Sequence, residues 1–234
     1  MLYDFVQDSL QSRFTLIREL KSGARSQITL LRHTETGKQV ILRSFCGSAE
    51  VYRKLLPVDC ENLPKIWEAT EKDGQALVLE EYIRGDSLSF LLEDGRTLSP
   101  RQAVSIVRQV CGALWVLHSL GIVHRDIKPS NVILRGESAV LIDFDASRTY
   151  DASRRKDTQV LGTVGYAAPE QYGFTQTDSR ADIYAVGVMI NVMLTGQHPS
   201  RTLAKGHLGR VVQRCTMISP QRRYPNILRL IEDL

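Results

Sequence analysis

His124-Arg125-Asp126-Ile127-Lys128-Pro129-Ser130-Asn131 is the stretch on which the reading of this chain turns. Taken one at a time, Asp126, Asn131 and the later Asp143 are the residue types of ordinary turns and caps. Their setting makes them informative. Upstream, Ser99-Pro100 has the form of an N-cap followed by proline in the first turn, and Ala103, Val104, Val107, Val110, Leu114 and Leu117 fall on one face as far as His118. A long core helix is expected there, then a loop from Gly121 to Asn131. Downstream, Val132-Ile133-Leu134 and Val140-Leu141-Ile142 read as two short strands, followed by Asp143-Phe144-Asp145 and a long irregular segment that runs through Ala168-Pro169-Glu170. Helices are expected again over Ala181–Leu194, Leu208–Cys215 and Ile227–Leu234.

Before Gly85 the period is two rather than 3.6. Phe14 to Leu20, Ile28 to Leu31 and Gln39 to Arg43 alternate apolar and polar residues, punctuated by Gly23 and Gly37. A short helix is expected from Ser48 to Leu56, closed by Pro57, and two further strands at Lys65–Thr70 and Gln75–Tyr82 flank a turn at Asp73-Gly74. The fold class is therefore α+β. Residues 1–84 form a small lobe with a five-stranded antiparallel sheet and one helix, and residues 85–234 a larger, mainly helical lobe.

The ordered set of His124-Arg125-Asp126, Lys128, Asn131, Asp143-Phe144 and Ala168-Pro169-Glu170 resembles the eukaryotic-like protein kinases, and among them the bacterial Hanks-type Ser/Thr kinases, from Leu20 to Tyr224. The resemblance implies the bilobal protein-kinase fold, with a catalytic loop at 124–131 and an activation segment at 143–170. It also implies transfer of the γ-phosphoryl group of ATP to Ser/Thr hydroxyls, with Mg2+ (or Mn2+), and autophosphorylation through self-association. In that scheme Asp126 is the base, Lys128 approaches the transferred phosphate, and Asn131 and Asp143 hold metal. Leu20, Gly23, Ile28, Arg43, Glu50, Glu81 and Ile83 line or support the nucleotide, with Glu50 as the helix carboxylate that pairs with Arg43. Asp182 would hold the catalytic loop, Glu170 and Arg223 would form a buried ion pair, and Thr163 would bond to Asp126 and Lys128. Thr158, beside Arg154, Arg155 and Lys156, is the expected phosphorylation site, its phosphate pairing with Arg125.

Four positions depart from the family pattern. Arg43, in Val40-Ile41-Leu42-Arg43, replaces a lysine, and a planar guanidinium is not a conservative substitute for an ammonium. Lys21-Ser22-Gly23-Ala24-Arg25-Ser26 keeps only the middle glycine of the phosphate-covering loop, leaving Lys21 or Arg25 as a substitute cation. Asp145 stands where glycine is usual, and Glu80 where an apolar residue guards the back of the adenine site. A pseudokinase serving as a nucleotide- or protein-binding module shares the fold, but the joint presence of Asp126, Lys128, Asn131 and Asp143 favours catalysis. A small-molecule phosphotransferase does not account for Ala168-Pro169-Glu170.

Composition sets the remaining bounds. Thirty basic against 26 acidic residues give a net charge of +4, scattered along the chain, so nucleic acid is not an expected partner. Cys46, Cys60, Cys111 and Cys215 are widely spaced and read as reduced thiols rather than a disulfide framework or zinc site. The apolar run Ile183–Thr195, broken by Asn191, is shorter than the ~20 residues of a membrane span. Met1-Leu2-Tyr3-Asp4 lacks the basic-then-apolar order of a signal peptide, so a cytoplasmic protein is expected.

Overall fold

The alternation over residues 14–45 becomes three antiparallel strands, β1 (Phe14–Gly23), β2 (Ser26–His33) and β3 (Gln39–Cys46), in a computed structural model that describes residues 2–23, 26–150, 163–173 and 177–234. With β4 (Ile66–Lys72) and β5 (Gln75–Glu81) they form one five-stranded sheet in the order β1-β2-β3-β5-β4. The β4–β5 hairpin turns at Asp73 and Gly74, with φ of 51° and 75°. Two consecutive positive φ angles are what a tight primed turn requires, and Asp-Gly supplies them at low cost. Val40, Ile41, Ala69, Ala76, Leu77 and Val78 are buried, so the central strands make the core of this unit.

Two helices accompany the sheet, not one. α2 (Glu50–Leu55) was expected; α1 (Leu2–Arg13), in contact with β1 and β4, was not. Its sequence carries polar residues throughout and offers no start signal. Tertiary contacts hold it instead: Lys72 Nζ donates to Asp4 at 2.7 Å, and the Thr34 amide donates to the Arg13 carbonyl at 2.8 Å. α2 is anchored through its N-terminal end, where Glu71 of β4 accepts from the Ala49 amide at 2.7 Å and Ser48 Oγ at 3.1 Å, and Arg53 approaches it at 2.8 Å.

Residues 1–60 and 64–83 form one compact unit, and residues 61–63 and 84–234 a second. The short excursion at 61–63 has a local cause. Asn62 donates to Gln109 and to the Ala139 carbonyl, and its own carbonyl accepts from the Leu141 amide. The second unit is built on α4 (Pro100–Ser119) and α5 (Arg180–Thr195), joined by α3 (Leu88–Leu91), α6 (Gly206–Cys215) and α7 (Ile227–Glu232). Ser99 caps α4 in a reciprocal capping box with Gln102, which is why the helix begins where the Ser-Pro pair predicts. Val107, Val110, Leu114 and Leu117 of α4 and Ile183, Val186 and Met189 of α5 are completely buried. Between these helices in sequence lie the short strands β6 (Asp86–Ser87), β7 (Ile122–Val123), β8 (Val132–Arg135), β9 (Ser138–Leu141) and β10 (Arg148–Thr149). β8 pairs with β6 and β9, and β7 with β10, so the chain from 124 to 131 is a loop suspended between two small ladders. Among the described residues, no helix is long and apolar enough to cross a membrane.

Candidate active site

The loop 124–131 has no regular secondary structure before a short turn at Pro129–Asn131, so side chains from elsewhere must hold its backbone. Asp182, in the first turn of α5 and fully buried, does much of this. Its carboxylate accepts from the His124 amide at 2.9 Å, the Arg125 amide at 2.7 Å and His118 Nε2 at 2.9 Å. Burial alone would push the Asp182 carboxyl up, but the bond from His118 and the neighbouring donors hold it below its ordinary range. Gln171 adds a second clamp: its amide donates to the Arg125 carbonyl at 2.9 Å and accepts from the Ala168 amide at 3.0 Å. Ser147 Oγ donates to the His124 carbonyl at 3.2 Å.

That clamping holds Arg125 at a φ of 70°. Asp143 has a φ of 71°, and the other described non-glycine residues with positive φ, Asp73 and Asp94, lie in turns. A left-handed backbone at a residue with a Cβ costs energy and persists where surroundings over-determine it. Here the surroundings are identifiable. The Ile142 amide donates to the Asn131 carbonyl at 2.9 Å, the His124 ring lies 3.3 Å from the Ile142 carbonyl, and the His124 and Phe144 rings meet edge-on at 5.6 Å. His124 is buried and its imidazole is pushed down by that burial, which suits a neutral core ring rather than an acid.

The polar side chains of the loop converge on Asp126. Lys128 Nζ lies 2.7 Å from Asp126 Oδ2 and donates to Thr163 Oγ1 at 2.7 Å, while the Thr163 hydroxyl donates to Asp126 Oδ1 at 2.7 Å. Asn131 Nδ2 donates to Asp126 Oδ2 at 3.0 Å and to the Asp126 carbonyl at 2.9 Å. Partial burial would raise the Asp126 carboxyl, but the bonds from Lys128, Thr163 and Asn131 outweigh it and hold the group below its usual range. With both donations made by Nδ2, Oδ1 of Asn131 is the atom a hard cation would take. The amide oxygen of Asn131 and the carboxylate of Asp143 fit Mg2+, which prefers oxygen ligands and is commonly held by one or two protein groups together with phosphates. No cluster of three His, Cys, Asp or Glu side chains suited to a metal occurs among the described residues. Asp145 is exposed and outside the left-handed region; its amide lies 3.5 Å from Asp143 Oδ1, and no glycine is needed there.

Beneath this cluster, Arg223 Nη1 and Nη2 donate to the two oxygens of Glu170 at 2.6 and 2.8 Å. The remaining donors of the guanidinium reach the carbonyls of Met217, Arg180 and Ile218, so all five are used.

The other expected site residues lie in the first unit. Leu20 and Gly23 are on β1 and Ile28 on β2, with Lys21 opposite Ile28 and Gly23 opposite Ser26. Gly23 has no positive φ, and an added Cβ would meet nothing closer than the Ser26 carbonyl at 3.5 Å. Glu81 ends β5 with its carboxylate 3.2 Å from the Lys65 amide, and Ile83 is buried just beyond. Arg43 and Glu50 differ in burial. Arg43 Nε donates to Glu80 Oε1 at 2.7 Å, both side chains being only 4% exposed. The Glu50 side chain is 58% exposed and approaches Lys54 at 3.9 Å. Sheet geometry explains the contact with Glu80: Arg43 lies opposite Val78 and Ile41 opposite Glu80, so Arg43 and Glu80 are diagonal neighbours on one face. Thr158, its basic neighbours Arg154, Arg155 and Lys156, and Arg25 lie outside the described residues.

The loop, its clamps and the α+β architecture define a protein kinase domain. A family model of that description matches residues 14–228, and the chain belongs to this family. Among curated proteins it is similar to the serine/threonine-protein kinase pkn2 of Myxococcus xanthus, with 30% identity over 209 residues, covering 81% of this chain and 25% of the relative. It is 34% identical over 168 residues to the serine/threonine-protein kinase PknD of Mycobacterium tuberculosis, covering 69% and 25%. To PknH of the same species it is 35% identical over 157 residues, covering 64% and 25%. The chain thus spans about a quarter of the length of these relatives.

Proposed function

We propose that the chain is an ATP-dependent protein Ser/Thr kinase. The observation that carries this reading is the Asp126 carboxylate held by Lys128, Thr163 and Asn131, an arrangement that leaves an ionised acceptor beside a cation. In transfer, the substrate hydroxyl oxygen bonds to the γ-phosphorus as the bond to the β-bridging oxygen breaks, and ADP leaves. Little proton abstraction is needed early, because the transition state is loose and the hydroxyl becomes acidic only as the new bond forms. A carboxylate held below its ordinary range suits that timing: Asp126 orients the hydroxyl and takes its proton late. Lys128 offers its ammonium to the moving phosphoryl group, and Thr163 keeps the carboxylate turned toward it. Asn131 and Asp143 would hold Mg2+ (or Mn2+), which supplies charge neutralisation at the phosphates.

Names of the similar proteins support Ser/Thr rather than Tyr as acceptor, as does Lys128 two residues after Asp126. Protein substrates bearing Ser/Thr, self-association for phosphorylation in trans, modification of Thr158 and a cytoplasmic setting belong to the same reading. Free Cys46, Cys60, Cys111 and Cys215 support a reducing compartment. Phosphate transfer from labelled ATP to the chain itself and to a generic basic protein, with Asp126→Asn beside it, tests the assignment. Transfer by the parent chain and its near abolition in the variant are expected; ATP binding without transfer would make the domain a binding module.

A further inference from the structure

Asn191 breaks the apolar run of α5, yet it is completely buried, and its side chain engages the chain that follows the helix. The amide nitrogen lies 2.8 Å from the Gln197 carbonyl oxygen and 2.7 Å from that of Thr202, and the amide oxygen accepts from the Ala204 amide at 2.8 Å. A satisfied buried amide rigidifies what it touches, so residues 197–204 are pinned to the end of α5. A second loop is fixed to the same helix end. The Leu98 amide donates to the Met193 carbonyl at 2.7 Å, and a Cβ on Gly196, which has a φ of 69°, would sit 3.0 Å from the Gly95 carbonyl oxygen. Gly209 of α6 leaves room for Ala204 in the same way: an added Cβ would lie 1.9 Å from the Ala204 carbonyl oxygen.

These two loops and the facing ends of α5 and α6 enclose a groove of about 520 Å3 within the second unit. Leu98, Pro100, Leu194, Leu203, Ala204 and Leu208 give it an apolar lining, and Leu203 is 42% exposed on it. Most polar groups of the lining are already engaged. The Thr195 hydroxyl donates to the Asn191 carbonyl at 2.8 Å, that of Thr202 to Gln197 Oε1 at 2.9 Å, and His207 Nε2 lies 2.7 Å from the Asp233 carbonyl oxygen. Lys205 is exposed in the lining, which contains no carboxylate, and Arg101 and Arg201, each adjacent in sequence to a lining residue, are exposed as well. Glu93 and Asp94 lie on the loop that leads to Leu98, where Arg96 approaches Asp94 at 3.8 Å. We propose that this groove docks a segment of a partner protein that carries an apolar anchor side chain flanked by Asp or Glu. The anchor fills the apolar groove, and the carboxylates meet Lys205 and the rim arginines. Because the walls are already held by Asn191 and the backbone of α5, little ordering opposes binding. None of these residues belongs to loop 124–131, so docking is independent of phosphoryl transfer.

The test is fluorescence anisotropy with three short labelled peptides, one of Leu and Glu, one of Leu and Lys and one of Ser and Glu. Each is titrated with the parent chain, Leu203→Ser and Lys205→Glu, with Leu16→Ser as a control in the first unit. The parent is expected to bind the Leu/Glu peptide about tenfold more tightly than either of the others. Leu203→Ser should weaken that binding about tenfold, and Lys205→Glu should weaken it while strengthening binding of the Leu/Lys peptide. Leu16→Ser should bind as the parent does. Leu203 and Lys205 are exposed, so both variants are expected to fold; Leu203→Ala and Lys205→Gln carry the comparison if either does not. No binding of the Leu/Glu peptide by the parent, equal binding of the Leu/Lys peptide, or unchanged affinity in either groove variant would overturn the proposal. Sedimentation of the chain without peptide distinguishes the other occupant: a dimer that Leu203→Ser converts to a monomer would place a second copy in the groove and overturn it too.

Discussion

Replacing Asp182 by Asn should loosen the catalytic loop more than any other change of a single functional group in the second unit. The parent carboxylate accepts from two backbone amides through different oxygens, Arg125 on Oδ1 and His124 on Oδ2, with His118 on Oδ2 as well. An amide has only one acceptor oxygen. Whichever way it turns, its NH2 meets a buried backbone N–H head-on. The orphaned donor costs about 1–3 kcal/mol, and conversion of the surviving charge-assisted bond to a neutral one costs roughly 1–2 kcal/mol more. A total of about 2–5 kcal/mol corresponds to a fall in Tm of roughly 4–20 °C for a domain of this size. Thermal denaturation followed by circular dichroism measures the first effect. The kinase assay measures the second, since Asp126 follows Arg125 directly and loses its fixed position, lowering kcat. An Asp182→Asn chain with the Tm and kcat of the parent would refute the claim that this carboxylate holds the loop.

Arg223→Lys should be nearly as damaging as Arg223→Ala, because an ammonium cannot serve five acceptors arranged around a planar fork; each is expected to lower stability by about 3–5 kcal/mol in denaturant titration. Gly187→Ala should destabilise as well, although alanine is ordinarily the better helix former: a Cβ there would sit 2.3 Å from the Cys215 Cβ where α5 meets α6, and overpacking costs ~1–3 kcal/mol. Its Tm is expected to fall rather than rise. Asp126, Asp178 and Asp182 are all held below the ordinary carboxylate range in the folded chain, so the unfolded chain binds more protons as acid is added. Their stabilisation is complete above the unfolded value of ~4 and lost as pH falls through the lower folded values. Melting curves from about pH 7 to about pH 3 should show the loss, and a smaller one in Asp182→Asn.

Features carried by local sequence were legible without coordinates. Ser99-Pro100 starts α4, Asp73-Gly74 turns the β4–β5 hairpin, and the period changes after Gly85, because caps, turns and amphipathic faces depend on neighbours a few residues away. The cluster around Asp126 was anticipated through resemblance, Lys128 and Asn131 from the same short loop and Thr163 from far along the chain. Contacts that bridge long separations were a different matter. Gln171 bonding to the Arg125 carbonyl and His118 to Asp182 depend on how helices and loops pack, and nothing in their local sequence marks them. α1 escaped notice because what secures it, Lys72 and Thr34, comes from the sheet. Arg43 and Glu80 make the same point most sharply. They are 37 residues apart, each an anomaly alone, and only the register of β3 against β5 places them on one face at hydrogen-bonding distance. Local pattern was enough for the fold class and for the placing of Asp126, Lys128 and Asn131 on one loop; that Glu80 reaches Arg43 follows from strand pairing, which a linear pattern does not contain.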